Sequence, residues 1–219
     1  MLFIFDMGDV VTNTFLMEPL YKKLNMTEDD FEKVCHLESD NIWKLLQIGK
    51  ITSEQFWTEF NNRIGKIQRA ILNGVMKIGD NVVFSNQVKF VDIPQIDTDL
   101  FRLYFHPTKN MQTIELIQNL KKKHRVVCGT NTIQSFWENH LERGDYAFFN
   151  QTYASNKIGF AKPDPRFFEL ILEAEATEPQ NAFFTDDKLE NVEAAKKLGI
   201  NAVHFTSAQE LIEKWQIYC

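Results

Sequence analysis

Four short apolar runs limit what this chain can fold into. Residues 2–5 (LFIF), 126–128 (VVC), 182–184 (AFF) and 202–205 (AVHF) are rich in β-branched or aromatic side chains, and polar residues or glycine bound them. Short runs of this kind, without polar alternation, read as strands buried on both faces. Helical patterns lie between the later runs. "MQTIELIQNLKKK" sets Met111, Ile114, Leu116, Ile117 and Leu120 on one broad face, and "PDPRFFELILEAEA" does the same with Phe167, Phe168, Leu170, Ile171 and Leu172. "NVEAAKKLG" closes on Gly199, a natural helix stop. From residue 110 onward helix and strand alternate, which predicts an α/β fold. The sheet is parallel and wrapped by helices, with ligands at the carboxyl ends of the strands.

Residues 15–100 follow a different pattern. "TEDDFEKVCHL", "NIWKLLQIGK" and "TSEQFWTEFNNRI" are amphipathic helices, with Thr27 and Thr52 or Ser53 placed as N-caps. The stretch 82–94, "VVFSNQVKFVDIP", alternates weakly and reads as a hairpin. The expected organisation is an α/β core of residues 1–14 and 101–219, interrupted after its first strand by a mostly helical insert of residues 15–100. An insert leaving at that point lies beside the strand's carboxyl end and over any site there.

Composition excludes several classes of function. The net charge of −6 offers no overall attraction to a phosphate backbone, so no nucleic-acid partner is expected. The one dense basic cluster, "KKKHR" at 121–125, reads as a positive helix C-terminus before a strand. Cys35, Cys128 and Cys219 are widely spaced with no CxxC pair, which points to a reducing compartment and no structural zinc. An acid at position 6 interrupts the N-terminal apolar run too early for a signal peptide, and no stretch approaches the ~18 apolar residues of a membrane span. The expectation is a cytoplasmic protein with no membrane partner.

Four separated stretches carry chemistry. In "FIFDMGDVV" the first strand runs straight into Asp6, a carboxylate able to attack phosphorus or ligate a metal; its structural reading is a turn cap. In "RVVCGTNT" a strand ends at Thr130 and Asn131 before a helix, where a hydroxyl, an amide and free N–H groups make an anion cradle; Thr and Asn are also ordinary helix caps. In "AKPDPRFF", Pro163 and Pro165 pin the backbone after Lys162, so a lysine that would otherwise be solvated can hold positive charge at a fixed place. In "AFFTDDKLEN", Asp186 and Asp187 follow a buried strand. Adjacent carboxylates beside apolar residues need a cation or firm donors, and hard oxygen ligands suit Mg²⁺.

In order and placement these four stretches resemble the haloacid dehalogenase-like hydrolase superfamily, across essentially the whole chain. The resemblance implies a Rossmann-like core with a helical cap inserted after the first strand. It implies Asp6 as nucleophile, Thr130 with Asn131 binding the phosphoryl group, and Lys162 neutralising charge. It also implies Mg²⁺ held by Asp6, the carbonyl of Gly8, and Asp187 with Asp186 before it. Asn191 takes the place of a later acid. Within the superfamily, "DMGDV", "TNT", "AKPDPRFF", "DDKLEN" and "IGKITSEQFW" look closest to the branch with bacterial α-glucose-1-phosphate phosphatases and the phosphatase domain of soluble epoxide hydrolase. Residues 65–100 look like an insertion relative to that branch.

The implied reaction is Mg²⁺-dependent hydrolysis of a small phosphorylated metabolite through an aspartyl-phosphate. One residue departs from the pattern. Most phosphatases of the superfamily carry a second Asp two residues after the nucleophile as general acid/base, and here that position is Gly8. Asp9, one residue later, should point away on an extended backbone. Without that acid the expected substrates are activated esters such as sugar 1-phosphates. Two alternatives are a metal-independent dehalogenase, which the acids of "TDDKLEN" argue against, and a catalytically weak phosphate- or protein-binding module. His36, His106, His124, His140 and His204 show no ligand spacing. Trp43, Phe56, Trp57 and Phe60 read as cap core, and cap contacts to substrate are expected near residues 12–18 and the turn at 49–52.

Overall fold

The computed structural model describes residues 1–13, 17–74 and 88–215. The chain opens with β1 (Leu2–Phe5) and the two-residue β2 (Thr12–Asn13). Helices α1 (Glu18–Lys23), α2 (Glu28–Cys35), α3 (Ile42–Gln47), α4 (Ser53–Leu72), α5 (Val88–Val91) and α6 (Leu100–Tyr104) follow. The chain then returns through β3 (Thr108–Lys109), α7 (Met111–Leu120), β4 (Arg125–Thr130) and α8 (Gln134–Glu142). After these come β5 (Gln151–Ala154), α9 (Ser155–Ile158) and α10 (Pro165–Ala174). Last are β6 (Ala182–Asp186), α11 (Leu189–Lys197), β7 (Asn201–His204) and α12 (Ala208–Trp215).

The five longer strands form one parallel sheet in the order β5-β4-β1-β6-β7, while β2 and β3 pair antiparallel in a small ribbon. Alternate residues of β1 feed opposite faces of this sheet. Phe3 and Phe5 pack with Ile117, Val126 and Trp215 on one side, and Leu2 and Ile4 pack with Val127, Phe167 and Phe184 on the other. This double burial explains why the strand runs are apolar without alternation. Gln151 at the start of β5 is exposed on the sheet edge, so its run carries no such signal.

Helices α1 to α6 bury a cluster of their own, including Phe31, Phe56, Trp57, Phe60, Phe90 and Phe101, with Trp43 partly buried against it. Thr27 and Thr52 each close a capping box, as their spacing predicts. Arg63 is fully buried in this unit, donating to the carbonyl of Cys35 at 2.6 Å and paired with Asp40 and Glu59. The hairpin expected over 82–94 is corrected where it is described. Residues 88–91 form a helical turn, and Gln68 holds the carbonyls of Phe90 and Ile93 where strand bonds would have gone; residues 82–87 lie outside the described residues. Cys35 and Cys128 are buried free thiols. Among the described residues no helix is long and apolar enough to cross a membrane.

Candidate active site

Because β1 lies at the middle of the sheet, the residue leaving its carboxyl end stands in the centre of the strand-end crevice. That residue is Asp6. Its N–H donates to the carbonyl of Thr185 at 3.0 Å, extending the β1–β6 ladder by one step and fixing the direction of the carboxylate. The register pairs Phe5 with Cys128 on one side and Thr185 on the other, which brings Thr130 and Asp186 alongside Asp6. A cavity of about 190 Å³ opens here, and Asp6, Gly8, Thr130, Asn131, Lys162 and Asp187 all line it. Asp186 sits beneath, fully buried.

Lys162 organises the charge. Its Nζ lies 2.7 Å from Asp6 Oδ1 and 2.6 Å from Asp186 Oδ2, with the ring of Phe184 5.5 Å away. Burial alone would lower its pKa, but Asp186 and Asp6 together hold it above the ordinary lysine range. Asp186 is saturated with donors. Oδ1 accepts from Asn191 Nδ2 at 2.9 Å and the N–H of Lys188 at 2.8 Å, and Oδ2 accepts from Asn191 at 3.0 Å as well as from the lysine. Asn131 clamps the lysine's main chain, donating to its carbonyl and accepting from its N–H, both at 2.8 Å. The sequence reading takes this amide as a direct phosphoryl donor. In the structure one N–H and the carbonyl oxygen of this amide hold the Lys162 main chain, and Asn131 also lines the cavity.

The three acids crowd one another, with carboxylate oxygens of Asp6, Asp186 and Asp187 all within 4.8 Å. Burial pushes Asp6 up, Lys162 opposes and Asp186 adds to the rise, leaving its carboxyl at about 7. Burial, then Asp186 and Asp9, also raise Asp187. One ammonium does not neutralise this cluster, and an all-oxygen donor set around the excess charge fits a hard divalent cation such as Mg²⁺. Of the acidic pair, Asp187 lines the cavity beside Asp6.

Asp9 departs from expectation. The N–H groups of Val11 and Thr12 both donate to the carbonyl of Met7 at 2.9 Å, closing a turn with Asp9 at φ 57°. The backbone is therefore not extended there, and Asp9 lines the cavity instead of pointing away. Of the expected cap contacts, Thr12 lines the cavity, while residues 14–16 lie outside the described residues. None of residues 49–52 lines this cavity, and Gly49 instead lies against α9: a Cβ there, at φ +69°, would stand 2.2 Å from the carbonyl oxygen of Asn156. Gln47, two positions before Gly49, reaches the cavity, as do Phe105, Phe136 and His140. No motif marks these four, because only the packing of α3, α6 and α8 brings them in. His140 is buried, its Nδ1 bonded to Asp145 Oδ2 at 2.8 Å. Ser155 ties the layers together, donating to the carbonyl of Gln47 at 2.7 Å and accepting from the N–H of Thr132 at 2.9 Å.

The family model for haloacid dehalogenase-like hydrolases matches residues 1–199. Among characterised proteins the chain is 31% identical over 102 residues to a drimenol cyclase from Aspergillus calidoustus, a stretch covering 46% of this chain and 19% of that protein. It is 38% identical over 64 residues to a sesquiterpene phosphatase from Aspergillus oryzae, covering 29% of this chain and 33% of the relative. The chain thus spans a third or less of the length of these relatives. Among solved structures it resembles a HAD family enzyme from Bacteroides thetaiotaomicron, with TM-score 0.69, 19% identity and 97% of both chains covered. The same enzyme complexed with magnesium and inorganic phosphate gives TM-score 0.66 at 20% identity, covering 94% of this chain and 93% of that one. A putative HAD-hydrolase from Bacillus subtilis, bound to magnesium, gives 0.58 at 17%, covering 98% of each. At these identities the structural likeness establishes the fold.

Proposed function

Since the chain belongs to the haloacid dehalogenase-like hydrolases, we propose that it hydrolyses phosphate monoesters of small metabolites, with Asp6 as nucleophile and residues 15–100 as a cap over the cavity. One observation carries this reading: Lys162 bridges Asp6 and Asp186 inside a cavity that also presents Thr130 and a cavity-facing acid, Asp187. A phosphoryl dianion and a carboxylate nucleophile repel each other, and this arrangement offsets the repulsion. Asp6 attacks phosphorus in line, the bond to the alcohol oxygen breaks, and an aspartyl-phosphate forms. The Lys162 ammonium and the Thr130 hydroxyl donate to the phosphoryl oxygens. Water then attacks phosphorus, releasing phosphate and restoring the Asp6 carboxylate. Mg²⁺, held by Asp6, Asp187 and the carbonyl of Gly8, would supply further positive charge at the phosphoryl oxygens. Asp186, named with Asp187 as a ligand on sequence grounds, is assigned here to holding Lys162.

The names of relatives support the chemistry: a sesquiterpene phosphatase among the sequence matches, and a fold neighbour crystallised with magnesium and inorganic phosphate. Gly8 favours activated esters such as sugar 1-phosphates, whose leaving oxygen needs less help from an acid. The dehalogenase alternative leaves Asp187 beside Asp6 and Asp186 without a role, and a mere binding module leaves the lysine bridge to the nucleophile without one. The test is turnover of p-nitrophenyl phosphate with Mg²⁺ and with chelator. Metal-dependent release of phosphate, lost in Asp6→Asn, is expected. Turnover indifferent to both treatments, or none on any ester, overturns the proposal.

A further inference from the structure

His140 lines the catalytic cavity, yet neither step of the hydrolysis proposed above uses it. We propose that its Nε2 is the base that takes a proton from the water attacking the aspartyl-phosphate; the proposal rests on the phosphatase reading above. The imidazole is held on three sides. Nδ1 lies 2.8 Å from Asp145 Oδ2, the Phe105 ring meets it at 86° with centroids 5.0 Å apart, and the Tyr146 ring lies 5.4 Å away. Asp145 is fully buried, with Arg143 Nε 2.8 Å from its Oδ2 and Lys109 Nζ 3.1 Å from its Oδ1. Burial alone would raise this carboxyl, but His140, Arg143 and Lys109 hold it below the usual range. An ionised carboxylate can only accept, so Nδ1 carries the ring proton and the lone pair is on Nε2. Nε2 has no hydrogen-bond partner among the described residues and is not one of the polar atoms sealed in the interior. The small opening of a residue only 4% exposed therefore includes this nitrogen, and the cavity is what it opens on.

Position and charge suit a base and not an acid. Burial first, then Cys128, Asp145 and Asp6, raise the phenol of Tyr146, so the nucleophile lies close enough to bear on the ring beside His140. Burial, with Arg143 adding to it, holds the imidazole below its ordinary range despite Asp145. The ring is then neutral at pH 7, with a lone pair to offer and no proton to give a leaving alcohol. The lack of an acid at Gly8 thus still governs the first step, and His140 serves the second. There the oxygen of water bonds to phosphorus while the bond from phosphorus to the Asp6 oxygen breaks, its electron pair returning to the carboxylate. The proton leaving the water passes to Nε2, and the imidazolium, beside Arg143, releases it to solvent as phosphate departs. A histidine that only ties α8 to Asp145 needs no nitrogen open to the cavity.

The experiment separates the two steps on p-nitrophenyl phosphate, whose leaving oxygen needs no acid, with Mg²⁺ present. Rapid quench follows p-nitrophenolate, free phosphate and hydroxylamine-labile phosphate on the protein. In His140→Gln the first release of p-nitrophenolate is expected to stay within about threefold of wild type, while phosphate release slows about a hundredfold. The variant then shows a burst of p-nitrophenolate and accumulates labile phosphate, and a melting curve confirms that it is folded. Should it fail to fold, Asp145→Asn gives the reading: an amide can donate to Nδ1 and move the ring proton onto Nε2, and the same burst is expected. A histidine that merely packs slows both steps together, so parallel loss in a folded variant overturns the assignment, as does unchanged phosphate release. Wild-type protein that releases no p-nitrophenolate overturns the phosphatase reading, and the base with it.

Discussion

Gly8→Asp is the most informative single change. A Cβ built at Gly8 meets nothing within 4 Å, and the residue is exposed at the cavity, so a carboxyl there needs no repacking. The site around it is already acidic, with Asp6, Asp9 and Asp187 lining the same space. A like charge about 6 Å away at an effective dielectric of about 20 costs roughly 3 kcal/mol, enough to keep a new carboxyl protonated toward neutral pH and ready to donate. A positioned general acid contributes about 10²–10⁴-fold, or roughly 3–5 kcal/mol, where the leaving oxygen must be protonated, and little where it leaves as a stable anion. The assay is kcat/KM across esters from p-nitrophenyl to n-butyl phosphate for wild type, Gly8→Asp and Gly8→Asn. The aspartate variant is expected to gain about tenfold to a hundredfold on the alkyl ester and stay within about threefold on p-nitrophenyl phosphate, flattening the dependence on the leaving group. The asparagine variant matches its size without an acidic proton and should gain nothing. Equal behaviour of the two variants, or a uniform loss across all esters, refutes the reasoning.

Three further changes probe the frame. Asn191→Ala removes two hydrogen bonds from the buried Asp186 carboxylate, so stability should fall by about 2–4 kcal/mol and kcat with it as Lys162 loses its anchor; an unchanged melting curve counts against this. Gly49→Ala forces a Cβ into the carbonyl of Asn156 at a left-handed φ, and is expected to cost more than about 1 kcal/mol and raise KM by loosening the cap; a wild-type KM and Tm would contradict it. Burial holds His140 below the ordinary imidazole range despite Asp145, so the unfolded chain binds that proton more tightly and stability is lost as pH falls through about 6.5. Asp145 would be raised by burial, but His140, Arg143 and Lys109 hold it below the usual carboxylate range, so its contribution persists until about pH 4. Between about pH 7.5 and 5.5, His140→Gln should therefore lose less unfolding free energy than wild type, by up to about 1.4 kcal/mol per pH unit in denaturant titrations; parallel curves refute it.

The legible parts of the sequence are those where one physical cause dominates. Strands β1, β4 and β6 announce themselves because both faces of each are sought by core side chains, and Asp6 stands out because an acid at the end of such a run has no place in that core. β5 is silent, since Gln151 lies exposed on the sheet edge. The weak alternation of 82–94 misleads at 88–91, where Gln68, twenty residues or more away in the chain, supplies the partners for the backbone. Residue type alone does not separate Asp186 from Asp187; the resemblance to the family singles out Asp187. In the structure Lys162 and Asn191, arriving from other elements, bond Asp186, while Asp187 lines the cavity. Asp9 turns inward because Met7 accepts two bonds, a local closure that residue types alone do not specify. Gln47 and His140 reach the cavity through packing between distant helices, which leaves no periodic trace.

The hydroxyl of Ser155 touches both the roof of the cavity and the loop beneath it. Opening the roof therefore costs that hydroxyl its acceptor at Gln47 and leaves it to the loop alone. A chimera that grafts a foreign cap onto this core inherits the same demand: the transplant has to present a main-chain oxygen to Ser155 and a residue without a side chain opposite Asn156, or the halves will meet out of alignment.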